Sequence, residues 1–295
     1  MKEISRILAA ILLGAIFALG WAVDYPLSVT DDLGRQVTIE AEPQRVISLL
    51  PSHTETLCDL DACGKLVGVD DFSNYPPQVE ELPDLGGLHN ASIESIVSLE
   101  PDLVLLSENG ELAQALSRLG VTVYAGSAQT YEELLDKFLL LGRLVNREDA
   151  AEALANRVQS EVEEVERLTT LLPAPSVYYE IDSTPYSVGP NSFIGVLITK
   201  AGAENIVDEG MGDFPRLDPE FIVDSAPELI VLGDAPYGES IETLRQRPGW
   251  QTIPAVAEER VHELTQEQVD ILSRPGPRVA EGVRLLARLF HPGLF

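Results

Sequence analysis

The groups in this chain that could carry out covalent or metal chemistry are two histidines and three carboxylates, all in segments that read as loops. His53 follows the apolar run Arg45–Leu50, and His89 follows Gly86-Gly87-Leu88. Two imidazoles beside one cleft could ligate a metal centre. Asp70 and Asp71, or Glu108, could form an acid–base pair with His53. Spacing supports neither chemistry, because no acidic partner stands at a fixed interval from either histidine. The chain also lacks a Gly-rich phosphate loop, a Gly-x-Ser-x-Gly elbow and a His-Glu-x-x-His pair. Solvated loop side chains account for all five residues, and His262 and His291 take no role. The expectation is a protein that is not an enzyme, with no catalytic residue, no metal site and no cofactor; a two-lobed α/β enzyme is the distant alternative.

Binding chemistry is better supplied. Phe72, Tyr75, Tyr186, Phe214 and Tyr237 all fall in loops that follow predicted strands, where ligands of open α/β sheets sit. Such faces and edges can grip a planar macrocycle, with a few polar groups to orient it. The first-half loops, 51–54, 71–75, 87–90 and 107–109, contain no Lys or Arg. The second-half loops, 182–191, 213–216, 233–237 and 266–274, contribute Arg216 and Arg274. An anionic ferric catecholate would call for several fixed cations, whereas a weakly charged ligand needs few.

These loops are positioned by a repeated unit. Ile93–Leu106 returns as Glu220–Leu232, with Glu94, Ile96, Val97, Pro101 and Leu103 in register with Glu220, Ile222, Val223, Pro227 and Leu229. Each copy reads as a short amphipathic helix, a proline break and an apolar strand buried on both faces. Around the first copy, strands are expected at 45–50, 66–69, 103–106 and 121–124. Helices are expected from Ser52, which would form a capping box with Glu55, and at 92–99, 111–119 and 131–144. Around the second copy, strands fall at 177–181, 229–232 and 261–264, and helices at 193–201, 219–224, 241–246 and 277–290. Between the halves, Ala150, Leu154, Val158, Val162, Val165, Leu168 and Leu172 keep helical spacing from a cap at Asn146 to Pro173, long enough to bridge two lobes. The expected fold is α/β: two similar lobes with mainly parallel sheets, joined by one long rigid helix, with the ligand cleft between them. The boundaries are a leader at 1–22, an N-terminal lobe at 23–146, a linker helix at 147–174 and a C-terminal lobe at 175–295.

Lys2 and Arg6 precede an apolar run from Ile7 to Leu19 and the small residues Gly20 and Ala22, the three-part pattern of a cleaved export signal. No cysteine follows it, so a soluble, periplasmic product without a lipid anchor is expected. Cys58 and Cys63 are the two cysteines. They could pair in an oxidising compartment, but their helical spacing favours buried small hydrophobes. Across 295 residues the formal net charge is −28, which excludes nucleic acid and anionic membrane surfaces as partners. The mean hydropathy of +0.06 is sufficient for two cores, and a monomer is expected.

Arg45-Val-Ile-Ser-Leu-Leu-Pro-Ser-His-Thr-Glu55, Val67–Pro77 and Ile93–Leu106 resemble the periplasmic binding proteins for cobalamin and ferric siderophores. Gly189–Gly195, Ala201–Ile206 and Ser273-Arg-Pro-Gly-Pro-Arg278 extend the resemblance in order through the second half. It implies capture of a small molecule and its delivery to an ABC importer, a permease dimer with its ATPase. Asp71-Phe-Ser-Asn-Tyr-Pro-Pro77 is most similar to the cobalamin branch, in which Phe72 falls at an aromatic contact and Phe214 at a tryptophan. Leu88 stands where that branch has a further tryptophan, and the cysteines depart from its disulfide. The implied cargo is cobalamin or a related corrinoid, with ferric siderophore or haem as the alternative. The resemblance also implies that Glu94 and Glu204 present carboxylates to the permease, one from each lobe.

Overall fold

A computed structural model describes residues 24–87 and 90–294. The leader 1–22, Leu88 and His89 lie outside these residues, so the expectations placed on them are not addressed. Among the described residues, no helix is long and apolar enough to cross a membrane.

The described residues open with a hairpin not expected from the sequence. Strands β1 (Leu27–Thr30) and β2 (Gln36–Ile39) pair antiparallel. Leu27, Val29, Val37 and Ile39 alternate inward onto the main core. Asp31 holds the turn by accepting the Leu33 and Arg35 amides and pairing with the Arg35 guanidinium.

The first lobe is a parallel four-stranded sheet, ordered β4 (Leu66–Val69), β3 (Val46–Ser48), β5 (Leu103–Leu106) and β6 (Val123–Ala125). Its apolar strands are buried on both faces, as continuous Val/Leu/Ile runs require. Val46, Leu103, Leu105 and Tyr124 enter the main core, while Ile47, Val104, Leu106 and Ala125 enter a second one. Helices α1 (Pro51–Asp59), α2 (Ile93–Ser98), α3 (Gly110–Arg118) and α4 (Tyr131–Leu144) cover the sheet. Ser92, Asn109 and Thr130 cap the last three, each accepting a backbone N–H from the first turn. The expected capping box of α1 does not form. Leu50 is its N-cap without a side-chain bond, and Pro51 at the first position needs no amide partner. Its supposed partner, Glu55, is used elsewhere.

Helix α5 (Glu148–Thr169) has 22 residues, roughly 33 Å at 1.5 Å per residue. It starts after Arg147 rather than Asn146. Asn146 instead has a left-handed φ of 59° and donates from its amide group to Glu42 Oε2 at 2.7 Å. It also ends short of Pro173, where Thr169 and Thr170 donate hydroxyls back to the Val165 and Glu166 carbonyls. Its stripe of Leu154, Val158, Val162 and Val165 is buried in the main core.

The second lobe has strands β7 (Ser176–Asp182), β8 (Tyr186–Ser187), β9 (Glu204–Asn205), β10 (Leu229–Leu232) and β11 (Val261–Glu263). β11, β10 and β7 run parallel in that order. The outer edge of β7 is shared: β9 pairs parallel with its first residues and β8 antiparallel with its last. The helices are α6 (Phe193–Lys200), α7 (Pro219–Ser225), α8 (Ile241–Gln246), α9 (Pro254–Ala257), α10 (Gln266–Ser273) and α11 (Val279–Phe290). α10 replaces an expected loop and carries a capping box between Thr265 and Gln268. α5 packs on α4 of the first lobe and α11 of the second, so one apolar core runs through both. Cys58 and Cys63 are joined by a disulfide, not held as separate buried thiols, and tie the end of α1 to the turn before β4.

Candidate ligand cleft

The carboxyl ends of the central strands in each lobe carry the loops in which the aromatics were expected. The segment after β4 is held from within the first lobe by a chain of hydroxyls. Ser73 donates to Asp70, Thr54 and Ser73 share a hydrogen bond at 2.8 Å, and Thr54 donates to Ser48 at 2.9 Å. Burial pushes the Asp70 carboxyl up to about 6, against the stabilising hydrogen bond from Ser73. Phe72, within this segment, leaves 65 % of its surface in solvent.

Across the cleft, the segment carrying Phe214 is laced to β8 and its flanks. The Gly189 amide donates to Asp213 O at 2.8 Å, Ser187 to Pro215 O at 3.0 Å, and Leu217 to Pro185 O at 3.0 Å. Gly189 is required by this approach, because a Cβ there would lie 2.0 Å from Gly212 O. Tyr186 bridges Arg216, and Arg216 Nε donates to Thr184 O at 2.6 Å. Tyr186, Phe214 and Arg216 are thus brought onto one rim, with Phe214 60 % exposed. Tyr237 follows β10 in a short 3-10 turn and is 79 % exposed. Phe72, Phe214 and Tyr237 are large side chains left uncovered beside the strand ends.

Tyr75, an expected contact, and Arg274, a cation of the second-half loops, both have partners within the protein. Tyr75 lies under the Arg278 guanidinium, 4.0 Å from ring centroid to Cζ. Arg274 is not a cation facing the cleft, because it reaches into the first lobe. It donates to Glu55 Oε1 at 3.0 Å, Asn74 Oδ1 at 2.8 Å and Phe72 O at 3.0 Å, and also pairs with Asp270 at 2.9 Å. Arg278 adds 2.9 and 2.7 Å bonds to the two oxygens of the same Glu55. Glu55, Asn74, Asp270 and Arg278 were missed by sequence reasoning. The available signal was the pair of arginines in Arg274-Pro-Gly-Pro-Arg278. Concavities of about 670 Å³ against Glu55, Tyr75, Arg157 and Arg278, and about 720 Å³ against Pro185, Glu220, Arg247 and Trp250, adjoin this region. Neither is lined by Phe72 or Phe214.

The residues considered for catalysis are accounted for otherwise. His53 lies on α1, not in a loop, and is buried with neither ring nitrogen hydrogen-bonded. Burial, reinforced by Lys137, pushes it down to about 3, so it is neutral. Asp70 holds the loop, Asp71 packs on Gly87, and Glu108 accepts from the Ser127 hydroxyl. Among the described residues, no cluster of three or more His, Cys, Asp or Glu could hold a metal ion.

Glu94 and Glu204, the carboxylates expected to meet the permease from one lobe each, are both exposed. Glu94 is exposed in the first turn of α2, which runs away from the cleft towards the start of β5. Glu204 is opposite Ser176, the first residue of β7, at the end of the sheet away from the cleft. Glu220, exposed in the first turn of α7, is the residue in the same structural position as Glu94.

The sequence profile described as periplasmic binding protein matches residues 46–268. An uncharacterised ABC transporter substrate-binding lipoprotein of Bacillus subtilis (strain 168) is 29% identical over 320 residues, covering 100% of this chain and 99% of that protein. A cobalamin-binding protein of Halobacterium salinarum is 29% identical over 289 residues, 92% of this chain and 75% of that protein. Among solved structures, the periplasmic heme-binding protein of Roseiflexus sp. RS-1 in apo form superposes with a TM-score of 0.75 at 25% identity, covering 85% of this chain and 99% of that one.

Proposed function

The chain belongs to the periplasmic binding protein family and is a substrate-binding protein of an ABC importer, not an enzyme; from that premise we propose that its cargo is cobalamin or a closely related corrinoid. The observation that carries this reading is the balance of the cleft loops. Phe72, Phe214 and Tyr237 offer broad exposed aromatic surface. Arg274 is consumed by Glu55, so Arg216 is the arginine of those loops left on the rim. Aromatic faces with few cations suit a large, weakly charged macrocycle with amide edges. The likeness to a cobalamin-binding protein of Halobacterium salinarum supports the same cargo. Haem is the second reading, supported by the Roseiflexus structure and by Arg216, which offers a cation to a carboxylate edge.

In this reading the leader 1–22 is removed on export, with no lipid anchor. A lobe at 23–146 and a lobe at 175–295 act through the linker 147–174 as a monomer. Phe72, Tyr186, Phe214, Arg216 and Tyr237 touch the ligand, while Glu94 and Glu204 meet the permease. Calorimetry on Val23–Phe295 tests the cargo. We expect one-to-one binding of cyanocobalamin, and a Phe214→Ala variant about 5- to 20-fold weaker, the loss of one stacked ring. Its ligand-free melting temperature should stay at the wild-type value. Heat with haemin or a ferric siderophore and none with cyanocobalamin would reassign the cargo.

A further inference from the structure

Glu55 projects from the first lobe, its side chain 2% exposed, and its hydrogen-bond partners are two arginines of the second. A carboxylate taken this far from water costs several kcal/mol unless its oxygens are fully paired, and three N–H donors from Arg274 and Arg278 pair them. The same two arginines reach the loop after β4. Arg274 holds the Phe72 carbonyl and the Asn74 side chain, and Arg278 covers the Tyr75 ring. Asn74 returns a bond to Asp270 of α10 at 3.0 Å, and Asp270 is itself fixed by Gln266 at 2.9 Å. Of the four residues Phe72–Tyr75, three are therefore held from the opposite lobe, and Ser73 is held from its own by Thr54 and Asp70. The Phe72 ring is the part left over: its carbonyl is pinned while its ring stays exposed.

We propose that Arg274 and Arg278, acting through Glu55 and the 72–75 backbone, are positioning residues that hold the first lobe's aromatic loop in its ligand-ready arrangement before ligand arrives. The proposal rests on the reading that Phe72 contacts the cargo. Its consequence is that ordering of this loop is not charged against binding, since the clasp has already fixed it. The lobes are joined on the β4 and β11 side by these charge-assisted bonds.

Hydrogen exchange on ligand-free protein decides the matter without knowledge of the cargo. In Arg274→Gln the amides of 72–75 should exchange about tenfold faster, while those of β3 and β5 keep wild-type protection. Arg274→Lys retains the charge, yet one ammonium cannot span Glu55, Asn74 and the Phe72 carbonyl together, so loop protection should fall with little change in melting temperature. Cyanocobalamin affinity should drop about tenfold in Arg274→Gln, mainly through slower association. Wild-type exchange at 72–75 in both variants overturns the proposal and leaves the clasp as lobe packing alone. Should Arg274→Gln fail to fold, Glu55→Gln, which leaves no buried unpaired anion, replaces it in the comparison. If the wild type ignores cyanocobalamin but the exchange result holds, the corrinoid reading falls and the positioning role stands.

Discussion

Both lobes are built on parallel strands carrying the same helix–proline–strand unit, yet the polar groups at their strand ends are organised in opposite ways. In the first lobe, Ser48, Thr54 and Ser73 form a chain of neutral hydroxyls ending on Asp70, and the buried His53 is uncharged. In the second, Glu180 at the end of β7 is wholly buried and grips Arg247 through both oxygens at 2.6 and 2.7 Å. Arg247 also bonds Glu239 at 2.8 Å and stacks 4.5 Å from the Trp250 ring. Asp234 lies buried beside this network with neither oxygen meeting a donor. A shared strand architecture thus constrains apolar burial and leaves the electrostatics free. Arg247 is spent on Glu180 and Glu239, and Arg274 and Arg278 on Glu55 of the first lobe, while the first-lobe loops contain no Lys or Arg to offer the cleft.

The largest effect that could break this contrast is loss of Arg247. Arg247→Met keeps the length of the side chain but leaves Glu180 charged and buried, with the Tyr178 hydroxyl at 2.8 Å as its remaining donor. Breaking a buried pair from one side costs about 3–5 kcal/mol. Urea unfolding should register that loss. A change below about 1 kcal/mol would show that the second lobe depends on its ion pair no more than the first depends on its hydroxyls.

The contrast also has a pH signature. Burial, and then the Glu180 charge, push Asp234 up to about 7 from 3.8. The folded state therefore holds a proton that the unfolded state releases, and this group costs stability as pH rises from about 4 to 7. His53 has the opposite slope: its folded value of about 3 lies below the ordinary 6.5, so stability is lost as pH falls through that interval. The two slopes oppose each other in mildly acid solution. Asp234→Asn removes one of them. Allowing for partial solvent screening, the variant should gain about 1–2 kcal/mol at pH 8 and almost nothing at pH 4. Melting curves at the two pH values check this, and an equal shift at both would mean that packing, not ionisation, distinguishes the variant.

What could be read from sequence follows the same division. The strands Leu66–Val69, Leu103–Leu106 and Leu229–Leu232 occupy the expected positions because apolar runs buried on both faces leave no other period to adopt. Helix α4 does likewise, with Thr130 as its cap. Misreadings arose where one local signal served a distant purpose. Ser52 with Glu55 has the spacing of a capping box, but Glu55 gains more from two guanidinium groups across the lobe junction. Asn146 precedes an acidic first turn, but it is drawn to Glu42. Leu-Ser-Val-Thr alternates as β1, yet four residues become a convincing strand only when β2 and the core are in place. Within the candidate cleft, the aromatic loops were legible from strand ends, whereas the clasp depends on residues about 200 positions apart, a pairing for which one sequence holds no periodic signal.

The smallest energetic effect bears on whether the lobes, unlike inside, are alike outside. Glu94 and Glu220 each occupy the first turn of the repeated helix and are exposed. Replacing either by Lys removes a favourable helix-dipole contact worth about 0.3–1 kcal/mol and should barely move the melting temperature. If the two form a pseudo-symmetric docking pair, each reversal should slow uptake of labelled cyanocobalamin by cells carrying the native importer, and the double reversal should abolish it. Charges at such a contact steer and orient the encounter, so ligand affinity in calorimetry should remain at the wild-type value. Glu204→Lys, opposite the first residue of β7, tests the pairing of Glu94 with Glu204 against that of Glu94 with Glu220. Loss of uptake in Glu204→Lys with normal uptake in Glu220→Lys would place the importer on a face the repeat does not predict, and the outward likeness of the two lobes would then have no part in docking.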